Sequence, residues 1–260
     1  MDDWHGLRDD SIVCRNIENI FRCFCGDHPL PESPPYSSKH GPGKDRNNIL
    51  ISGPTRSGST VAWQILDIIN DKKVLRSHGF NDSCPTVFRF DKVIVTVRNP
   101  FDAFYSYERC FKEAKPAEDF CKEYEDFNKF FMLGRLQKAI NYRPDMEIIF
   151  LKYEDYWGQD TERILSLAKI IGKELSNREL NNVLSQTSID KNLERSRLQE
   201  KAVQEGREIV RDRRIIADHV GSMRGAPGQG AFLDAETKAT ILVRCSWIFE
   251  EFGYDKNGKV

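Results

Sequence analysis

The stretch NILISGPTRSGST, residues 48–60, decides the fold. Ile49, Leu50 and Ile51 form a short apolar run of the kind that makes a buried strand. Gly53 and Pro54 turn the chain, and VAWQILDIIN after Thr60 carries apolar positions at helical spacing. A strand, a glycine-bearing turn and a helix in that order make a phosphate cradle, because the N–H groups at a helix N-terminus point at an anion. Gly53 and Gly58 keep the Gly-x-x-x-x-Gly spacing of nucleotide phosphate loops. Ser59 stands where those loops place lysine, and Thr60 follows. The cation of this loop is Arg56, inside the turn. A guanidinium presents a planar fork of donors rather than a point charge. The pattern predicts a nucleotide-anion site that differs from an ATP-hydrolysing one.

Outward from this loop, strand and helix patterns alternate. Strands are expected at Asn48–Ser52, Lys73–Ser77, Lys92–Arg98 and Glu147–Lys152. Helices are expected at Val61–Asn70, Asp102–Lys115, Ala117–Asn141, Asp160–Gly172, Ser176–Ser185 and Asp234–Phe252, with a long polar helix or lid over Asp190–Ala217. The charge run at 195–214 reads as a solvated helix face. Such alternation predicts a three-layer α/β fold, a central parallel sheet flanked by helices. Ligands of such sheets sit beyond the C-terminal strand ends. Before the loop, Ser11–Cys25 is amphipathic, and residues 29–46 are a Pro-, Gly- and Ser-rich linker. The expected division is residues 1–46 as helical segment and linker, and 47–260 as one domain.

The chain has 260 residues, 39% of them hydrophobic, enough for one substantial core. With 39 basic and 40 acidic residues its net charge is -1, so no broad nucleic-acid or membrane-surface binding is expected. An anion site must come from local placement of arginines. No apolar run approaches the ~20 residues of a membrane span. The start, MDDWHGLRDD, has neither the apolar core of a signal peptide nor the basic character of a transit peptide. Seven scattered cysteines, an odd number, fit free thiols in a reducing cytoplasm. Cys23, Cys25 and His28 match no common zinc spacing.

The strand KVIVTVR ends in Arg98, followed by Asn99-Pro100. A phosphate-loop NTPase needs an aspartate at such a strand end to hold Mg²⁺. A cation there, with no loop lysine, points to a nucleotide whose charge is met by arginines and N–H groups, without metal.

TRSGST at 55–60 together with VRNPFDAFYSY at 97–107 resembles the two donor-binding motifs of the PAPS-dependent sulfotransferases. The resemblance covers about residues 47–254. It implies that Thr55, Arg56, Ser57, Gly58, Ser59 and Thr60 hold the 5′-phosphosulfate end, and that Arg98 and Ser106 grip the 3′-phosphate. More faintly, Lys152-Tyr153-Glu154-Asp155 and Gln186-Thr187-Ser188-Ile189 resemble segments that place Tyr153 and Thr187 beside the adenine. The stretch HVGSMRGAPGQG at 219–230 resembles the late glycine-rich loop, with Arg224 and Gly225 at the 3′-phosphate. His78 lies where the family has its general base, and Arg76 where it has a lysine; histidine titrates near neutrality and suits that work. Asp82 is the nearby carboxylate to consider should His78 fail. Thr55 departs from the family's proline, and Val61 stands where the cytosolic branch stacks a tryptophan, so Trp63 cannot be given that role.

The implied activity is transfer of a sulfuryl group from PAPS to a hydroxyl or amine of a small-molecule acceptor, releasing PAP. The short region between the two main motifs implies a small acceptor-binding insertion. A nucleotide kinase with a degenerate loop and a non-catalytic nucleotide-binding protein are the alternatives. The reading expects no nucleic-acid or membrane partner and leaves a homodimer open.

Overall fold

The computed structural model describes residues 49–70, 74–77, 87, 90–110, 116–158, 160–206 and 225–256. Four strands form one parallel sheet: β1 (Ile49–Ser52), β2 (Val74–Ser77), β3 (Lys92–Val97) and β4 (Glu147–Lys152), in the order β2-β1-β3-β4. Ser52 pairs with Ser77 on one side and Val95 on the other, and Val97 pairs with Lys152. All four C-terminal strand ends therefore lie on one rim. From β1 the chain crosses to β2 on one flank and then returns to β3 on the other. Beyond β1 and β3 lies the crevice where open parallel sheets bind ligands.

Side chains alternate between the sheet's two faces, as the pleat requires. Leu50, Val93, Val95, Val97, Ile148 and Phe150 join one buried cluster. Ile49, Ile51, Val74, Ile94, Ile149 and Leu151 join the other. The second cluster is closed by α1 (Ser59–Ile69), and later by α6 (Asp160–Ile170) and α7 (Asn177–Thr187). The first is closed by α2 (Pro100–Cys110), α3 (Ala117–Asp126) and the C-terminal helices. These are the three layers expected from the sequence.

Several elements differ in detail from expectation. The helix expected from Asp102 begins two residues earlier, at Pro100, since proline suits a first helical position. The helix expected over Ala117–Asn141 is continuous through α4 (Gln137–Tyr142), but its middle, Phe127–Leu136, is π-helical. The wider turn keeps Phe127, Phe131 and Leu136 together in the core. After β4 come a single turn, α5 (Tyr153–Tyr156), and then α6. A capping box starts α7: Ser176 accepts from the Glu179 N–H and its own N–H donates to the Glu179 carboxylate. The long polar segment is helical as α8 (Ile189–Gln204); residues 207–224 lie outside the described ones. The final helix expected over Asp234–Phe252 is two, α9 (Ala235–Arg244) and α10 (Ser246–Phe252). Cys245 breaks it, with φ -105° and ψ 18°. Its Sγ lies 3.7 Å from that of Cys121, both thiols buried and free.

Candidate active site

β1 leads into a loop shaped as the sequence predicts. Arg56 has φ 62°, the one non-glycine with positive φ among the described residues. Left-handed backbone costs a side-chain-bearing residue about 1–2 kcal/mol, and such strain collects at functional positions. Gly58 follows at φ 91°, and a Cβ there would lie 2.2 Å from the Tyr156 hydroxyl oxygen and 2.4 Å from the Tyr153 ring. Only glycine fits. Gly58 is also the N-cap of α1, which has no side-chain cap and no acidic residue in its first turn. The positive end of the helix thus stays open for an anion. Ser57 is fully buried and bonds Thr96 through its hydroxyl at 2.8 Å, which ties the loop to β3. Tyr124 donates to the Thr55 carbonyl at 3.0 Å and Tyr156 to the Gly58 carbonyl at 3.1 Å. The loop is therefore held from both faces of the sheet.

Arg98 leaves the tip of β3 and is 3% exposed. Its Nη2 donates to the Gly225 carbonyl at 2.9 Å, and its guanidinium lies 4.4 Å from the centre of the Tyr153 ring. Its Nε is buried without a hydrogen-bond partner. Among the described residues no carboxylate forms an ion pair with it. A buried cation left in this state has a large desolvation penalty that an anion would remove.

The structure brings together Arg56, Ser57, Gly58, Ser59 and Thr60 in the loop, and Arg98, Tyr153 and Gly225 beside it. Ser106 joins the first group rather than the second: its Oγ accepts from Arg56 Nε at 3.1 Å and Nη2 at 2.8 Å. Thr187 is buried and donates to the Val183 carbonyl, at the end of a helix packed on α1. Trp63 is committed elsewhere, donating to the Val74 carbonyl. Arg76, near the tip of β2, donates to the Thr60 hydroxyl and lies 5.8 Å from the centre of the Trp63 ring. Burial pulls its pKa down from the usual arginine value. His78, Asp82 and Arg224 lie outside the described residues, as do residues 1–46.

Two acids of the site have roles that the sequence left unassigned. Glu154 accepts from the Asn99 N–H at 2.9 Å and from the Tyr254 hydroxyl at 2.8 Å, fixing the turn that follows Arg98. Burial pushes its carboxyl above the usual range, against the pull of these donors and of Arg98. Asp102 accepts from two backbone N–H groups of the late glycine-rich segment. Both acids belong to short motifs visible in the sequence, but their partners are 55 to 128 residues away. No group of three or more acidic, His or Cys side chains among the described residues could hold a metal. No described helix is long and apolar enough to cross a membrane.

The sequence profile of the sulfotransferase domain matches residues 69–216, more than half of the chain. The chain belongs to the sulfotransferase domain family. The matched region includes Arg98, Ser106, Tyr153 and Thr187 but begins after the phosphate loop. Comparison with curated protein sequences finds no match. Among solved structures, mouse sulfotransferase SULT7A1 complexed with PAP aligns at a TM-score of 0.50 and 13% identity, over 79% of this chain and 84% of that one. At that identity the likeness shows the fold: a sulfotransferase fold of P-loop type. Retinol dehydratase, in complex with androsterone and inactive cofactor PAP, aligns at a TM-score of 0.42 and 14% identity, over 79% of this chain and 80% of that one.

Asp155, next to Glu154 in this sulfotransferase domain, provides a pH test. Burial pushes its carboxyl up to about 6, with Lys152 opposing and Glu154 reinforcing the shift. An unfolded aspartate titrates near ~3.9. Below that value the group is neutral in both states and costs nothing. Between ~3.9 and about 6 the unfolded chain gives up this proton while the folded one keeps it, so stability falls across that window and stays reduced above it. Solvent screens part of this penalty, so Asp155→Asn is expected to raise the melting temperature by ~2–4 °C at about pH 7.5 and leave it unchanged at about pH 3. Thermal melts at the two pH values check this.

Proposed function

We propose that this domain transfers a sulfuryl group from PAPS to a hydroxyl or amine of a small molecule, releasing PAP. The observation that carries the proposal is Arg98, a buried guanidinium with an unpartnered Nε beside an uncapped helix N-terminus. An adenylate with phosphate at both the 3′ and 5′ positions supplies one anion for each. One neighbouring fold, mouse sulfotransferase SULT7A1 complexed with PAP, supports the same ligand. Family membership sets aside the kinase alternative.

In this reading the N–H groups of Ser57, Gly58, Ser59 and Thr60 and the Arg56 fork hold the 5′ end. Arg98, Ser106, Arg224 and Gly225 hold the 3′-phosphate, and Tyr153 and Thr187 border the base. PAPS supplies an activated sulfuryl group on a phosphate leaving group. Transfer breaks that S–O bond and forms one from sulfur to the acceptor oxygen or nitrogen, in line and without a covalent enzyme intermediate. His78 follows β2 directly and takes the acceptor's proton. Arg56 and the helix N-terminus stabilise the leaving phosphate, where fixed cations and N–H groups act most strongly. No metal is needed, because arginines and N–H groups meet the charge. Domain limits of 47–260 and a cytoplasmic location belong to the same proposal.

The test is a screen of small alcohols, amines and phenols with PAPS in the presence of a chelator, reading PAP and sulfated product by mass spectrometry. Sulfated product from at least one acceptor is expected. His78→Ala should lower turnover ~10²–10⁴-fold with PAP affinity unchanged. Product formation that is strict in Mg²⁺, or turnover untouched by His78→Ala, overturns the respective part.

A further inference from the structure

Asp102 lies in the first turn of α2, four residues after Arg98, and is 2% exposed. Its two oxygens accept from backbone 126 and 128 residues further along the chain. Gly228 N–H donates to Oδ2 at 2.8 Å, and Gly230 N–H donates to Oδ1 at 2.6 Å. Charge-assisted bonds of this length are the strong kind. Gly230 is pressed onto α2: a Cβ there would lie 2.3 Å from Phe101 Cβ and 2.9 Å from the Asp102 nitrogen. Gly230 lies in a short 3₁₀ turn, Gln229–Phe232. Three residues before Gly228 stands Gly225, whose carbonyl accepts from Arg98 Nη2. The carboxylate of Asp102 and the guanidinium of Arg98 thus hold one segment from the same edge of the molecule.

We infer that Asp102 is a positioning residue for the 3′ end of the nucleotide. By clamping the turn at Gly228 and Gly230 it sets the Gly225 carbonyl against Arg98, and this fixes the guanidinium before the nucleotide arrives. The inference rests on the proposed function, in which Arg98 meets the 3′-phosphate. Its physical content is preorganisation. A guanidinium already oriented loses little side-chain freedom when the anion binds. Without the clamp the segment from Gly225 onward leaves Arg98, and ordering both becomes part of the cost of binding.

The variant is Asp102→Asn, which keeps the volume but turns one acceptor oxygen into an N–H₂ that opposes a backbone N–H. Affinity for PAP is expected to fall ~10- to 30-fold, the effect of losing one charge-assisted bond. Affinity for adenosine 5′-phosphate, which has no 3′ group, is expected to stay within about twofold of wild type. With PAPS the KM should rise by the same ~10- to 30-fold and kcat should hold within about threefold. A purely structural role would lower both nucleotide affinities together, and that result overturns the inference, as does no change in either. Amide exchange in the wild-type protein gives an arm that does not depend on the variant folding. Without nucleotide, Gly228 and Gly230 should already exchange slowly; fast exchange there overturns the clamp. Wild type that does not bind PAP at all overturns the proposed function instead, whatever the amides show.

Discussion

Arg98→Met will abolish PAP-dependent stabilisation and leave the ligand-free protein at least as stable as wild type. The reason is the unusual state of this side chain. Arg98 is almost fully buried, its Nε has no partner, and its other contacts are a backbone carbonyl and an aromatic face. Replacing a buried charge by an apolar chain of similar length is often neutral or stabilising. Methionine keeps packing against Tyr153 and removes the desolvation penalty. It also removes the counter-charge of the 3′-phosphate. Truncating one side of a buried charge pair costs about 2–5 kcal/mol in binding, on the order of 100-fold or more in affinity. Saturating PAP raises the melting temperature of wild type through mass action, and that rise should vanish in the variant. Titration calorimetry should show PAP weakened far more than adenosine 5′-phosphate. Equal weakening of the two would contradict the contact, and a clear loss of ligand-free stability would contradict the account of the buried charge.

The same burial explains what the sequence could and could not disclose. Three of the four strands were legible as short apolar runs that end at a glycine loop, an arginine or a tyrosine motif, whereas β2 is the short, half-polar Val-Leu-Arg-Ser. The strand, turn and helix around Gly53 and Gly58 were legible from glycine spacing, whereas the left-handed backbone of Arg56 was not. The break at Cys245 was not legible, since an amphipathic pattern runs on through both helices and the residue at the junction meets Cys121, which is far away in sequence. Neither was the π-helical stretch, where burial of Phe127, Phe131 and Leu136 widens the turn. Local pattern also gave no sign that the Ser106 hydroxyl accepts from Arg56 of the other loop. Asp102 and Glu154 sit in visible motifs, but their work is done by bonds to distant backbone and side chains. Such pairings depend on how the layers close, and no short window of sequence contains them.

The coupling of Arg56 to Ser106 leads to the other large effect. Arg56→Gly should lower kcat on the order of 10²–10³-fold, the usual loss when one preorganised donor to a developing charge is removed. Stability should stay near that of wild type, for opposing reasons. Glycine relieves the left-handed backbone at φ 62°, a gain of about 1–2 kcal/mol. It also gives up two half-buried hydrogen bonds to Ser106 and some backbone entropy, a loss of similar size. The melting temperature should therefore move by no more than ~2–4 °C. PAP affinity should fall far less than kcat, because the open N–H groups of α1 still hold the 5′-phosphate in the ground state. Charge on the leaving phosphate grows only as the S–O bond breaks, and only then does the missing fork matter. Single-turnover kinetics at saturating PAPS, with calorimetry on PAP, separate the two quantities. A variant that keeps kcat within tenfold, or loses PAP affinity as steeply as kcat, would show that Arg56 holds the nucleotide without acting on the transition state.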